Sequence, residues 1–124
     1  MAEDETRPNE TAVSWALVLS PLLLLFVFIT LAARVRLGLG HWPTPMLEGY
    51  DTAAYRTHEQ VLISVVVFAV CGAVPLWLAS ACLRLFRVSL KTLLLQAGAY
   101  ALSWGLIALY IAIDPGRFTE WFLD

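Results

Sequence analysis

The most constraining feature of this sequence is an uncharged segment at residues 61–83, VLISVVVFAVCGAVPLWLASACL. An α-helix rises about 1.5 Å per residue, so this segment would form a helix about 34 Å long, and the hydrocarbon core of a bilayer is about 30 Å thick. An ordinary core helix of a soluble domain does not need so long an apolar run. We therefore expect residues 61–83 to cross a membrane.

Two further apolar segments flank this one, at residues 12–33 and 92–113. Hydrophobic residues make up 60% of the chain and charged residues only 15%, which is typical of integral membrane proteins. The sequence thus predicts an all-α membrane protein with three transmembrane helices, in a single membrane domain of residues 1–124. A polar N-terminal tail, residues 1–11, precedes the first span, and residues 34–60 form the longest loop.

The C-terminal segment, residues 114–124, is expected to form a short helix in the membrane interface. Asp114-Pro115-Gly116 ends the third span, and three aromatic residues then recur at spacings of three and four: Phe118, Trp121 and Phe122. With three spans, this segment lies on the same side of the membrane as the loop of residues 34–60. We expect the aromatic residues of the two segments to pack together into a cap.

The loop of residues 34–60 is the most distinctive part of the sequence and holds both histidines. Arg34 and Arg36 have side chains long enough to reach the lipid headgroups, so they are expected to mark the membrane boundary. Asp51 or Thr57 is expected to cap the helix that follows. Seven residues form a candidate interaction loop: His41, Trp42, Pro43, Pro45, Tyr50, Tyr55 and His58.

Residues 33–45, ARVRLGLGHWPTP, contain an R-x-x-L-G-H-W-P segment directly after the first apolar stretch. This segment resembles that of a group of small bacterial three-helix membrane proteins that have no assigned activity. The resemblance covers about thirteen residues. It implies a location in the bacterial inner (cytoplasmic) membrane, and it carries no catalytic residue over to this chain.

Small residues recur at helical spacing in two of the spans. Such residues let helix backbones approach closely in a membrane, where packing replaces the hydrophobic effect as the driving force for association. We expect helix packing at Ala69 and Ala73 in the second span. In the third span the expected packing residues form a stripe at spacings of three or four: Ala97, Ala101, Gly105, Ala108 and Ala112.

Three polar residues, Gln96, Tyr100 and Ser103, lie beside this stripe on a common face of the third span. They are candidates for hydrogen bonds to another helix, each worth about 0.6 kcal/mol, or for the lining of a binding groove. We favour helix contacts, because neutral polar residues in membrane helices commonly serve that role.

The histidines and nearby carboxylates allow a metal site to be considered, because imidazole and carboxylate groups are suitable ligands. His41, His58, Glu48, Asp51 and Glu59 do not follow the spacing of a known site, however, and the sequence has no HExxH motif and no paired CxxC. We therefore expect interfacial histidines, and the sequence indicates no cofactor. Because no GxSxG elbow or phosphate-binding loop is present either, we do not expect an enzyme.

The charge of the chain and the spacing of its cysteines argue against a nucleic-acid partner and against an internal disulfide. The net charge is −2, and no basic stripe is available to neutralise phosphates, so nucleic acid is not an expected partner. Cys71 and Cys82 are about 16 Å apart on one predicted helix, and a disulfide needs Cα atoms within about 7 Å. The two cysteines therefore cannot bridge each other.

These patterns favour an accessory or assembly subunit of a larger membrane complex. An energy-transducing complex is one candidate for that larger complex. Its expected partners are the lipid bilayer and other membrane subunits. The alternative is an oligomeric small transporter or a protein that binds lipid or another hydrophobic ligand. A proton- or ion-coupled carrier usually places a charged residue in the bilayer, and none of the three predicted spans contains one.

The basic residues give an even count for membrane orientation, with four on each side. Arg7, Arg84, Arg87 and Lys91 are on the side of the N-terminus, and Arg34, Arg36, Arg56 and Arg117 are on the other. Three of the first group are concentrated in a short loop, which is easily retained inside the cell. This concentration favours a cytoplasmic N-terminus.

Overall fold

The computed structural model describes the backbone of residues 7–45, 49–83 and 89–123, and the side chains of residues 12–45, 49–82 and 89–123. These residues form six α-helices: α1 (Arg7–Val18), α2 (Ser20–Leu39), α3 (Ala53–Val67), α4 (Ala73–Leu83), α5 (Leu90–Ile113) and α6 (Phe118–Leu123). A π-helical turn, Phe68–Gly72, joins α3 to α4, and a 3₁₀ turn, Pro115–Arg117, joins α5 to α6. The described residues include no strand.

Three helical stretches are long and apolar enough to cross a membrane: Ser20–Leu39, Ala53–Cys82 and Leu90–Ile113. The prediction of an all-α chain with three such helices and a short C-terminal helix is confirmed at this level. The second helix begins at Ala53, well before residue 61, and is therefore longer than the predicted span. The third begins at Leu90, where the Ser89 side chain accepts a hydrogen bond from the Thr92 backbone N–H.

The first apolar segment forms two helices, α1 and α2, which are separated by Leu19. Pro21 lies in the first turn of α2. Proline has no backbone N–H to donate, and its ring is tolerated best in the first turn of a helix. Pro21 therefore favours the end of α1 before it and the start of a new helix at Ser20. The long helix of this segment therefore runs from Ser20 to Leu39, whereas the sequence predicts a span over residues 12–33. The buried Ser20 hydroxyl has no hydrogen-bond partner among the described residues.

The C-terminal end of α2 lies beyond the arginines that are expected to mark the membrane boundary. Arg34 and Arg36 are exposed on the last two turns of the helix. The helix ends at Gly40, which adopts a left-handed conformation with φ of 79° and donates its N–H to the Arg36 carbonyl. Glycine favours this position because it has no Cβ to clash in the left-handed region.

The second long helix starts with a different cap from those that the sequence suggests. Thr52 is the N-cap, and its side chain accepts a hydrogen bond from the Tyr55 backbone N–H. Asp51 instead pairs with Arg56, and the Thr57 hydroxyl donates to the Ala53 carbonyl within the helix. The prediction of a cap at Asp51 or Thr57 is therefore wrong by one residue in the first case and by five residues in the second.

The helices pack as a bundle in which each half of the first segment has its own neighbours. α2 packs against α3 and α5, whereas α1 packs against α4 and α5. Leu31 and Val35 of α2 are fully buried in the core, together with Leu62 of α3. At the other end of the bundle, the Ser14 and Ser80 hydroxyls, 3.3 Å apart, join α1 to α4.

The C-terminal segment folds back onto the end of the bundle. Asp114 adopts a left-handed conformation, and its carboxylate accepts a hydrogen bond of 2.6 Å from the Thr119 backbone N–H and another of 3.2 Å from that of Glu120. These bonds cap the first turn of α6 and fix its direction. Phe118 is thereby placed in the core, where its ring lies 5.4 Å from that of Phe28 on α2.

Candidate functional site

The aromatic residues of the loop and of the C-terminal segment form one cluster, which we call the aromatic cap. The Tyr55 ring meets Trp121 edge to face at 6.2 Å and Tyr50 at 5.8 Å. Trp42 lies so close to Gly116 that a Cβ atom at that position would collide with the indole. The prediction that the loop and the C-terminal segment pack together is therefore confirmed.

Charged residues at the edge of the aromatic cap form short-range pairs. The Arg56 guanidinium hydrogen-bonds both carboxylate oxygens of Asp51 and holds the pKa of that carboxyl below its usual value. Arg117 pairs in the same way with Glu120 and lowers the pKa of its carboxyl. These pairs are exposed to solvent, so each contributes little to stability.

The candidate interaction loop is divided between the aromatic cap and the surface. Trp42 is half-buried, and the Arg36 guanidinium lies over its ring, 4.9 Å from the centroid. Pro43 is buried and Pro45 is half-buried, so both prolines pack against the protein. His41 is exposed and donates a hydrogen bond from Nδ1 to the Trp42 carbonyl.

His58 is not part of the exposed loop surface, because it lies in α3 and faces α2. Its Nε2 donates to the Val27 carbonyl at 3.1 Å and lies 3.2 Å from the Thr30 hydroxyl. The two histidines therefore have different neighbourhoods and different hydrogen-bond partners. Within the described ranges, no three His, Cys, Asp or Glu side chains come together in a metal-binding arrangement, and Glu48 lies outside those ranges.

The small residues of the second span lie inside the bundle. Ala69 is 0% exposed and Ala73 is 1% exposed. Because neither residue has a side chain beyond Cβ, neighbouring helices can approach the second span closely at these positions.

The small residues of the third span lie on the outside of the bundle. All five are exposed, and we call them the small face: Ala97, Ala101, Gly105, Ala108 and Ala112. A Cβ atom at Gly105 would meet no other described atom within 4 Å. At about 3.6 residues per turn, the small face lies on the far side of α5 from Gln96 and Ser103, which are both buried.

The three polar residues of α5 have different roles. The Gln96 side-chain oxygen accepts a hydrogen bond of 2.9 Å from Trp77 Nε1 on α4. Tyr100 donates from its hydroxyl to the Ala69 carbonyl at 3.0 Å, across to the π-helical turn. Ser103 instead donates to the Ala99 carbonyl of its own helix at 2.7 Å. Gln96 and Tyr100 therefore connect helices, whereas Ser103 does not.

The π-helical turn is the structural reason why Tyr100 finds an acceptor. In a regular α-helix the Ala69 carbonyl would accept from the Ala73 N–H. Here the Ala73 N–H donates to the Phe68 carbonyl, one residue further back. This leaves the Ala69 carbonyl to the Tyr100 hydroxyl, and an unpaired carbonyl in the apolar bundle would be costly.

We expect Tyr100→Phe to lower the free energy of unfolding by about 0.6 to 1 kcal/mol, the usual value of one hydrogen bond between membrane helices. Unfolding by sodium dodecyl sulfate in mixed micelles, followed by tryptophan fluorescence, measures the change. Tyr110→Phe is the matched control, because no hydrogen bond engages the Tyr110 hydroxyl among the described residues. Equal stability of the two variants would contradict a stabilising bond at Ala69.

Two features near these residues are missed by sequence reasoning, although each has a signal in the sequence. Pro75 follows the π-helical turn and cannot donate to the Cys71 carbonyl, which favours a local widening of the helix. Trp77 is the second feature. Its indole N–H needs an acceptor in an apolar environment, and Gln96 is the polar side chain of the next span.

The chain was compared with models of protein families, with curated proteins and with solved structures, and none of these three comparisons found a match.

Proposed function

We propose that this chain is a small accessory or assembly subunit that associates with other membrane subunits through the small face of α5. One observation carries the proposal: all five residues of that face are exposed, whereas the opposite side of α5 supplies the contacts within the chain. In a bilayer, a groove of small residues allows a second helix to pack closely and gain dispersion contacts. The partner that fits is therefore an apolar transmembrane helix of another protein.

A second exposed face of α5 differs from the small face in the size of its side chains. Large residues are exposed on a separate side of the helix: Leu95, Leu102, Leu106, Leu109 and Ile113. Such bulky side chains are suited to lipid contact and would hold a partner backbone at a distance. The small face is thus the part of α5 on which a helix can approach most closely.

The proposed location is the bacterial inner membrane, with the N-terminus in the cytoplasm. The support for the membrane type is the resemblance of residues 33–45, and the support for the orientation is the basic character of residues 84–91. Arg84 and Arg87 lie outside the described residues. Under this proposal the chain contributes no catalytic chemistry of its own, and its role is to hold other subunits together.

The test is the native mass of a particle extracted from membranes in mild detergent. We expect the wild-type chain to co-purify with other subunits at fixed stoichiometry, and Ala101→Leu or Gly105→Leu to release it. Leucine at either position projects into the space that the partner helix needs. The monomer itself should change in stability by less than about 0.5 kcal/mol, because both positions lie on its surface.

Ala79→Leu is the matched control, because Ala79 is exposed on α4 and lies outside the small face. This variant should remain in the large particle. Retention of Ala101→Leu and Gly105→Leu in that particle would overturn the role of the small face. A wild-type particle made only of copies of this chain would overturn the accessory role and favour the alternative, an oligomeric transporter.

A further inference from the structure

A groove of about 510 Å³ lies between the C-terminal ends of α2 and α5. Ile29 and Gly40 are among the residues of its α2 wall, and Tyr110 lines it from α5. Clefts that bind small molecules commonly measure about 300 to 1,000 Å³. The groove is therefore large enough to hold part of a lipid molecule.

The groove is apolar at one end and carries a charged side chain at the other. Ile29 and Ala33 line the apolar part, whereas Arg36 and Trp42 line the other end. Ile29 and Arg36 are two helical turns apart on α2, about 10 Å along the helix axis. Arg36 is only three residues before the last residue of α2, so in a spanning helix it lies near the headgroups. The groove thus extends from headgroup depth into the hydrocarbon region.

Arg36 brings a positive charge without an ionic partner to this groove. Its guanidinium lies over the Trp42 ring, 4.9 Å from the centroid, and no carboxylate of a described residue forms an ion pair with it. The Asp114 carboxylate, at the end of α5, is engaged by the Thr119 and Glu120 backbone N–H groups. A guanidinium group has five N–H donors and binds phosphate through two parallel hydrogen bonds. Trp42 therefore positions a group that is suited to a phosphate.

The unpaired charge of Arg36 narrows the class of occupant. A wholly apolar molecule or helix in the groove would take water from the guanidinium without pairing its charge, which is costly. A quaternary ammonium group binds an open aromatic face, whereas the Trp42 face at this site is covered by Arg36. The groove therefore favours a phospholipid with a net negative charge over one in which a choline group cancels the phosphate charge.

We propose that this groove binds one anionic phospholipid. The phosphate group accepts hydrogen bonds from the Arg36 guanidinium, and part of an acyl chain lies along Ile29 and Ala33. Tyr110 forms the opposite wall. This inference goes beyond the proposed assembly role, since none of the residues that line the groove belongs to the small face.

The test is a competition between two lipids for the purified full-length chain in detergent, measured by native mass spectrometry. The lipids are dioleoylphosphatidylglycerol and dioleoylphosphatidylcholine in equal amounts, so that only the headgroup differs. We expect the first bound lipid to be phosphatidylglycerol about five times as often, which is the ratio expected for one basic residue near an anionic lipid. Inorganic phosphate should not displace it, because the acyl chain contributes to binding. Displacement by inorganic phosphate would indicate a site for a soluble anion and overturn the proposal.

Two variants of equal net charge locate the site. Arg36→Gln removes the guanidinium from the groove, so the preference for phosphatidylglycerol should fall from about fivefold to about one. Arg34→Gln is the matched control, because Arg34 is exposed two residues earlier on α2 and does not line the groove. This control should keep the preference of the wild-type chain. Equal losses in the two variants would indicate a general attraction to surface charge and overturn the proposal.

A third variant tests the apolar part of the groove. Ala33→Phe places a ring where the acyl chain would lie, so the preference for phosphatidylglycerol should disappear here as well. Ala79→Phe, at an exposed position of α4, is its control and should behave as the wild-type chain does. Because both lipids compete in one sample, a general loss of stability does not change their ratio. A preference that Ala33→Phe retains, or that the wild-type chain lacks, would overturn the proposal.

Discussion

Phe118→Ala is expected to lower the free energy of unfolding by about 3 kcal/mol, one of the two largest effects that we expect from a single substitution. Phe118 is 0% exposed and belongs to the core cluster. Its ring contacts Phe28 on α2, and within α6 it lies 5.5 Å from Trp121 and 6.1 Å from Phe122. Truncation of a buried phenylalanine leaves a cavity that the neighbours fill only in part.

The change is measured by unfolding in mixed micelles, with tryptophan fluorescence as the signal. Leu123→Ala is the matched control, because Leu123 lies on the same short helix and is 76% exposed. Its effect should stay below about 0.5 kcal/mol. Similar losses for the two variants would mean that α6 does not dock against the bundle.

Gly116→Ala is expected to cost a similar amount, about 3 kcal/mol, for two separate reasons. Gly116 has φ of 68°, in the left-handed region, where a residue with a Cβ atom loses about 1 to 2 kcal/mol. The added Cβ would also collide with the Trp42 indole, and overpacking costs about 1 to 3 kcal/mol. Trp42 would have to move away from the 3₁₀ turn, which would open the aromatic cap.

Two other glycines separate these contributions in the same unfolding measurement. Gly40 has φ of 79°, but a Cβ atom there would meet no described atom within 4 Å, so Gly40→Ala should cost only about 1 kcal/mol. Gly49 does not have a positive φ, and a Cβ atom there would meet no described atom within 4 Å, so Gly49→Ala should have almost no effect. If Gly116→Ala lowered the free energy of unfolding no more than Gly40→Ala does, the close contact between Trp42 and Gly116 would not contribute to stability.

Helix number and the ends of several helices follow from local features of the sequence. Three long uncharged segments predict three long helices, because each backbone polar group in a bilayer must be paired within its own segment. Gly40 ends α2 in a left-handed conformation, which glycine favours, and α5 ends at Ile113, just before the Asp114-Pro115-Gly116 segment. Recurring aromatic residues at helical spacing likewise predict α6.

Other features depend on competition between neighbouring residues, and the sequence indicates them less well. The N-cap is Thr52, although the adjacent Asp51 is an equally good capping residue in isolation. Asp51 pairs with Arg56 instead, and this contact becomes available only when the first turn of α3 has formed. Pro21 indicates a bend in the first span, yet it does not show that two separate helices meet there with different packing partners.

In the candidate site, too, some features follow from the sequence and others depend on the tertiary structure. Sequence spacing places Gln96, Tyr100 and Ser103 on one face of a helix, and it places the small residues of the third span on another. The spacing of residues within α5 does not reveal their partners on the second long helix, Trp77 and Ala69. For Ala69, the π-helical turn also changes which backbone carbonyl is available.

The sequence by itself therefore determined the class of the protein, its three long apolar helices and the short aromatic helix at its C-terminus. The tertiary structure decided which face of each helix points inward. Lipid tails and neighbouring helices are equally apolar, so hydropathy alone cannot tell a surface that packs inside the bundle from one that faces outward. For α5, the hydrogen bonds of Gln96 and Tyr100 orient the polar face inward, and the small face consequently points outward.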